Sequence, residues 1–438
     1  MNAVPGGIDT DRQPPLSIPL RHFVAALGFL LVGSTLGVAD ALGVAPGLAR
    51  LAHLHLLLVG FVCLTIAGAM TQFVPVWAGT TLHSRRLARV QLWLLVGGLT
   101  GFAIALLGRR LVALPVFGAL ILAGFWTFAY NVGRTLATAR PLDVTERHFT
   151  AALGFFVALT TLGLGLAVGF VEPQFTGAIA RRDVVAAHAT LAVFGAVLTT
   201  VFGALYQLVT MFGQTELDGV DRTLQRVETV VYPLGVVGLA AGRLVASALL
   251  ARVGAVLLLG GALAFVVILV RRLRDARAER TPMIVRYALL APVVLLWALA
   301  ALPAWLRAPL APAAVFGAPG TAHLLALVVV LVLVGTLYHI IPFLVWVHRY
   351  SDRLGIEAVP MIDDLYDDRL ATVDGVLVAG GGLLLVGGDL LAVDALALVG
   401  GVVFALGLAV FAANLLLVVR RHAPASLRRD AVGSARGE

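Results

Sequence analysis

Four histidines carry the chemistry open to this chain: His53, His55, His188 and His323. Each stands within one or two turns of the same end of a long apolar run. Neutral imidazole is a common protein ligand for haem iron, zinc and copper. Two imidazoles on facing helices fill both axial positions of a haem and leave a low-spin, electron-transferring iron. His53 and His55 are two residues apart, which on a helix turns their rings roughly 200° from each other. One helix can then present imidazoles to two neighbouring crevices. A zinc site on a single helix would more naturally use a His-Glu-x-x-His pair, and none occurs. The macrocycle of a haem also needs cations for its propionates. Arg50, Arg181, Arg182 and Arg307 lie at the same end of the runs and are the candidates. Headgroup contact is the plainer account of any one of them.

The remaining histidines read more plainly. His83, His348 and His422 lie beside arginines in polar segments and read as solvated surface. His22 and His148 open two apolar runs and suggest a shared role at the membrane interface. His339 lies about 24 Å along a helix from His323 at 1.5 Å per residue. With Gln72 and Gln207 it reads as a buried polar side chain bonding to a neighbouring helix.

The elements that must position these residues are membrane spans. The chain has 438 residues, 60% of them hydrophobic and 13% charged, with a mean hydropathy of +0.98. A soluble domain carries about 25% charged residues. A bilayer core needs about 20 apolar residues as helix, and unpaired backbone in lipid excludes most alternatives. Twelve such runs occur, near 22–44, 51–77, 88–108, 111–133, 148–171, 184–212, 228–248, 251–270, 284–304, 321–347, 371–390 and 393–419. The domain reading is a polar tail over 1–20, one membrane domain over 21–420, and a basic tail over 421–438. The first tail has no signal-peptide pattern. The single cysteine, Cys63, excludes an intramolecular disulfide, and no Cys-x-x-Cys-His for c-type haem is present.

All 32 basic side chains are arginines. Eight (50, 109, 110, 181, 182, 243, 252 and 307) fall on one side of the spans and 24 on the other. The positive-inside rule then places both termini in the cytoplasm of a multi-pass cell-membrane protein. The net charge of +8 speaks of topology and anionic lipid, not of nucleic acid.

Internal repeats set the architecture. The segment Arg21-His22-Phe23-Val24-Ala25-Ala26-Leu27-Gly28-Phe29 returns as Arg147 to Phe155 with eight of nine residues identical. Ala52-His53 returns as Ala187-His188 and Ala322-His323, at intervals of 135 and 135. Gly68-x-x-Thr71 returns as Gly203-x-x-Tyr206 and Gly335-x-x-Tyr338, at intervals of 135 and 132. The unit is four spans, present three times (21–135, 147–272 and 284–420), with spans 2, 6 and 10 equivalent. The expected fold is an all-α membrane protein: twelve transmembrane helices as three four-helix repeats in a pseudo-threefold ring. Two halves with inverted repeats, common among transporters, would give different arithmetic.

Twelve spans in three arcs, with histidines at one end of spans 2, 6 and 10, resemble the catalytic subunit of haem-copper oxidases and nitric oxide reductases. The stretch from Ala52-His53-Leu54-His55 through Gly60 and Gly68 to Pro75 is similar to the second helix of the cbb3-type branch. Ala187-His188 to Tyr206, and Gly335-Thr336-Leu337-Tyr338-His339-Ile340-Ile341-Pro342, are similar in the same way. The resemblance covers the chain in plan and is specific in these three helices. It implies a low-spin haem b held by His53 or His55 with His323. The family's second span-10 histidine, which holds a high-spin haem, has Leu324 and Leu325 around its place. The family's copper takes one histidine of span 6, matched by His188, and two adjacent ones of span 7, which has none. The family's span-6 tyrosine is Ala192 here. The resemblance therefore implies haem without the copper site, and no ordinary oxygen reduction.

The function expected is electron transfer, or binding of a small gas such as NO or O2, in a relative of cytochrome c oxidase subunit I. His55 with His323 would hold one haem. His53 facing His188 would hold a second, with an open position. An electron-donor protein would dock on the outer face. The alternative is a transporter or metal-handling protein using the same histidines for copper or zinc, against which the lack of Met-rich motifs counts. A third reading is a structural subunit that kept the fold and lost the chemistry. Proton conduction is not expected, because the acids noted (Asp40, Glu172, Asp389 and Asp394) sit near span ends and Thr199 and Thr200 are the main mid-span hydroxyls of span 6. The polar segment 349–370, with Asp352, Glu357, Asp363, Asp364, Asp367 and Asp368, reads as a solvated loop, with partner docking as the alternative.

Overall fold

In a computed structural model the chain is described over residues 14–172, 179–276 and 281–423. Most of both tails, including Arg428, Arg429 and Arg436, lies outside the described residues. Twelve helices are long and apolar enough to cross a membrane. They are α1 Ser17–Ala41, α2 Ala49–Trp77, α3 Arg85–Leu107, α4 Leu111–Leu136, α5 Val144–Val168 and α6 Arg181–Gly213. They continue as α7 Gly219–Leu244, α8 Ala248–Asp275, α9 Pro282–Arg307, α10 Ala322–Arg349, α11 Asp368–Leu391 and α12 Asp394–His422. The protein is a multi-pass membrane protein built of helices.

Successive helices pack on each other, and α12 packs back on α1, which closes the ring. The most buried helices are α2, α6 and α10, the three expected to be equivalent. They surround a central cavity of about 60 Å³. Thr65, Thr200 and Thr336 line it among apolar side chains. With an even number of crossings, the start of α1 and the end of α12 share one face of the membrane, called here the terminal face.

Two local features depart from the sequence expectation. First, α7 begins at Gly219, nine residues before the expected edge at 228. Its first turns are too polar to register as a span, but Asp218 and Asp221 form a capping box there. Arg271 and Arg272 of α8 pair with the same carboxylates. This extension places Glu228 well inside the helix. Second, α2 and α6 are wound as π-helix over Leu56–Cys63 and Leu191–Leu198, again 135 residues apart, and α10 is α-helical throughout. Fifteen residues separate His53 from Gly68 and His188 from Gly203, but twelve separate His323 from Gly335. A π-helix packs more residues into each turn. The wider winding takes up part of that difference, so the shorter third copy keeps its histidine and glycine at comparable depths.

Candidate functional site

Each of the four histidines has its Nδ1 committed to an oxygen. His53 Nδ1 lies 2.8 Å from the carbonyl of Gly33 on α1. His188 Nδ1 lies 2.8 Å from the carbonyl of Leu159 on α5. The two anchors are 126 residues apart, the same offset as the repeated segments that open α1 and α5. A glycine one turn further on backs each ring: a Cβ on Gly37 would come 2.5 Å from His53 Cε1, and one on Gly163 would come 3.0 Å from His188 Cε1. His55 Nδ1 bonds within its own helix to the carbonyl of Leu51 at 2.8 Å, and its ring packs 5.2 Å from Phe102 of α3. His323 has no carbonyl anchor; its Nδ1 pairs with the Asp389 carboxylate of α11.

A carbonyl oxygen only accepts, so the Nδ1 that faces it carries the proton. The lone pair of the neutral ring is then on Nε2. Among the described residues, none of the four Nε2 atoms makes a hydrogen bond. Anchored Nδ1 and bare Nε2 is the state in which imidazole ligates a metal.

The pairing differs from the one expected. His53 turns into the α1–α2 contact and not across to His188. His323 turns to α11 and not to His55. An electrostatic interaction does join His55 and His188. The cause is local geometry: residues two apart on α2 face opposite ways, and the α1 carbonyl takes His53, which leaves His55 on the other side of α2, against Phe102 of α3. Among the described residues no three His, Cys, Asp or Glu side chains come together in a way that could hold a metal ion.

The arginines divide. Arg181 is tied down, donating to the Leu166 carbonyl at 2.9 Å and lying 4.2 Å over the Phe170 ring. Arg50 and Arg307 are exposed. Arg182 is exposed and pairs loosely with Asp183 at 3.5 Å. The buried guanidinium at this face is Arg243, which the sequence reading did not single out. It donates to Thr190 Oγ1 at 2.5 Å and to the carbonyls of Pro309 and Ala314, with Trp305 alongside.

The other histidines also need correction. His22 and His148 stand near the starts of their helices and are buried inside the protein. His339 and Gln72, expected to bond to neighbouring helices, leave His339 Nε2 and Gln72 Oε1 buried without a partner among the described residues, and the His339 ring packs on Phe212 of α6 at 3.8 Å. His83 and His348 are exposed, while His422 bonds the Tyr350 hydroxyl at 2.9 Å. In the polar segment, Arg353 pairs with Glu357 and Asp367 caps α11. Burial, with Asp363 and Asp368 nearby, pushes the Tyr366 phenol up.

Toward the terminal face the fold assembles three polar clusters that the sequence reading missed. Each takes one residue from the first, second and third helix of a repeat. They are His22, Thr71 and Gln91; His148, Tyr206 and Glu228; and Arg286, Tyr338 and Asp374. The conserved geometry is a helix crossing. A Cβ on Gly68 or Gly203 would come 2.6 Å from the Cβ of His22 or His148, and one on Gly335 would come 3.3 Å from that of Arg286. The repeated Gly-x-x-Thr/Tyr was the available signal. The Arg286 member hid because arginine replaces histidine there, and Glu228 hid at the assumed edge of a span.

Compared with known proteins, the chain matches no family model and no curated sequence.

Proposed function

We propose that the chain is a haem-b-binding membrane protein on a scaffold like that of haem-copper oxidase subunit I, working in electron transfer or in NO or O2 binding. The observation that carries the reading is the common state of the four imidazoles, Nδ1 anchored and Nε2 bare. His55 and His188, on different repeats and with an electrostatic interaction between them, are the residues to which we assign the haem. Bound there, a haem supplies one-electron exchange or a coordination position for a diatomic. The Leu51 and Leu159 carbonyls fix the tautomer of each ring and raise the basicity of Nε2. Phe102 covers His55 on the α3 side. The excess of arginine at the terminal face supports placing that face in the cytoplasm, and the histidines then lie toward the outside, where an electron donor would dock.

Donor number favours haem over transport of zinc or copper. A closed zinc cage takes four ligands, and the described residues gather no three candidates. Axial haem ligation needs one or two. The deciding experiment is a reduced-minus-oxidised visible spectrum of detergent-purified protein, with haem extracted and quantified per chain. A sharp α band lost in His55→Ala and His188→Ala is expected, and CO or NO titration then reads an open position. Colourless protein after haem-supplemented expression overturns the reading, and bound zinc or copper in that protein moves it to metal handling.

A further inference from the structure

The three polar clusters toward the terminal face occupy equivalent crossings but differ in charge chemistry. In the first, His22 Nδ1 bonds the Ile18 carbonyl at 2.8 Å and Nε2 faces the Gln91 amide at 3.4 Å. Gln91 also donates to Thr71 at 3.3 Å. This cluster is satisfied by neutral groups. In the third, the Arg286 guanidinium pairs with the Asp374 carboxylate, and Tyr338 donates to the same carboxylate. Arginine does not give up its proton in proteins, so this pair is fixed.

The second cluster alone must hold an exchangeable proton. His148 Nδ1 faces the Val144 carbonyl at 2.8 Å and therefore carries hydrogen. His148 Nε2 lies 3.0 and 3.1 Å from the two carboxylate oxygens of Glu228. Two lone pairs cannot face each other at that distance without repulsion, so one proton sits between the ring and the carboxyl. Either Nε2 holds it beside a carboxylate, or the carboxyl holds it and donates to a neutral ring. The Tyr206 hydroxyl donates to Glu228 Oε2 at 2.9 Å and steadies the carboxylate form. All three side chains are buried. A buried ionisable group inside a span is costly and is a functional candidate for that reason.

The surroundings leave this proton to the cluster itself. On α7, Tyr232 spends its hydroxyl on the Phe194 carbonyl. On α5, Asp143 and Glu146 cap their own helix. Asp221 of α7 is taken by Arg271 and Arg272 of α8. Among the described residues no arginine pairs with Glu228. A cavity of about 10 Å³ touches both Tyr206 of the cluster and Arg272 of α8, with Thr210 as its other polar neighbour and apolar side chains such as Phe265 and Leu269 around the rest. This is close to the space one water needs.

From these observations we infer that His148, Glu228 and Tyr206 form a proton-binding site inside the membrane, reached from the terminal face past Arg272. Loading is a simple addition: the Tyr206 hydroxyl, which lines the cavity, accepts a proton from water and passes its own to Glu228 while the ring keeps its proton, giving imidazolium beside a neutral carboxyl. Release returns that proton to water. No other reactant is needed. The inference does not depend on what the outer histidines hold.

The test is infrared difference spectroscopy of the full chain in lipid, between acid and alkaline buffer, in H2O and D2O. With both buffers kept above the ordinary carboxylate range, where surface acids stay ionised, the expected result is one deuterium-sensitive carboxylic acid band per chain that changes with pH. Glutamate carrying a ¹³C carboxyl should shift it. The protein supplies its own template variants. Glu228→Gln copies the first cluster and His148→Arg copies the third, and both should abolish the pH-dependent band. Asp374→Asn should retain it. No pH-dependent band in the native protein, a band insensitive to labelled glutamate, or a band that survives Glu228→Gln would each overturn the inference. The labelled native protein decides the matter even if the variants fold poorly.

Discussion

Gly163 lies under the His188 ring: a Cβ added there would stand 3.0 Å from the ring's Cε1. Gly37 lies under His53 in the same way, with a tighter 2.5 Å. The two contacts are equivalent in geometry but not in expected consequence. Gly163→Val must displace the ring that the haem reading assigns as a ligand. Gly37→Ala displaces a ring that faces α1. Haem per chain should fall several-fold in Gly163→Val and stay within error in Gly37→Ala, read by extraction and absorbance. The opposite ranking would make His53, and not His55, the working histidine of α2.

His323 and Asp389 are a different kind of pair. Their side chains are 41% and 29% exposed, so the contact is partly open to its surroundings. A carboxylate behind an imidazole is a familiar support for a metal ligand, yet His323 points to α11. With His55 and His188 as the axial pair, His323→Ala and Asp389→Asn should leave the α band in place. The partly exposed contact should contribute no more than about 1 kcal/mol to stability. Loss of the band in His323→Ala would instead return ligation to α10, as the family resemblance implied.

The spans were legible because apolar runs of bilayer length have few alternative structures in lipid. The threefold plan was legible because Ala-His recurs at intervals of 135 and 135, and the glycine that follows at 135 and 132. The pairing of the histidines was not. It turns on which ring a carbonyl of the preceding span captures, and backbone carbonyls carry no sequence label. The buried clusters were lost for another reason. Reading span edges from apolarity trims polar first turns, and Glu228 and Asp374 sit within ten residues of helix starts. Asp374 was passed over between Val373 and Gly375, with its partner Arg286 more than eighty residues away.

The start of α7 should respond to acid. The backbone N–H of Asp221 donates to the Asp218 carboxylate, and Arg271 pairs with it, which together hold the Asp218 carboxyl below its usual range. A depressed carboxylate contributes stability that is present above its unfolded pKa and is lost as pH falls through the folded one. Below the ordinary carboxylate range the first turn of α7 should therefore loosen. Hydrogen exchange at the amides of Val220 and Asp221, corrected for intrinsic rates, should accelerate there. Asp218→Asn keeps a capping side chain but removes the ion pair, and should flatten this part of the pH dependence. Equal acid sensitivity in the variant would show that another group controls the helix start.

Arg243 offers a test of what ties α6 to the segment after α9. Its guanidinium donates to Thr190 Oγ1 and to the carbonyls of Pro309 and Ala314. Two of these acceptors have other bonds: Thr190 donates its own hydroxyl to the Ala186 carbonyl, and Trp305 Nε1 donates to Ala314. Pro309 has no second donor among the described residues. Arg243→Ala thus leaves one unsatisfied buried carbonyl, a cavity, and Trp305 without its cation. An unsatisfied buried acceptor costs about 1–3 kcal/mol, and the cation–ring contact adds about 1. The expected loss is roughly 2–4 kcal/mol in detergent unfolding, by these two terms together. Arg243→Met fills the same volume and removes the cost of burying a charge, so it should lose less than the alanine variant. Equal losses in the two would mean that the hydrogen bonds, and not the packing, hold this corner, and Arg243→Lys would then fail as badly as either.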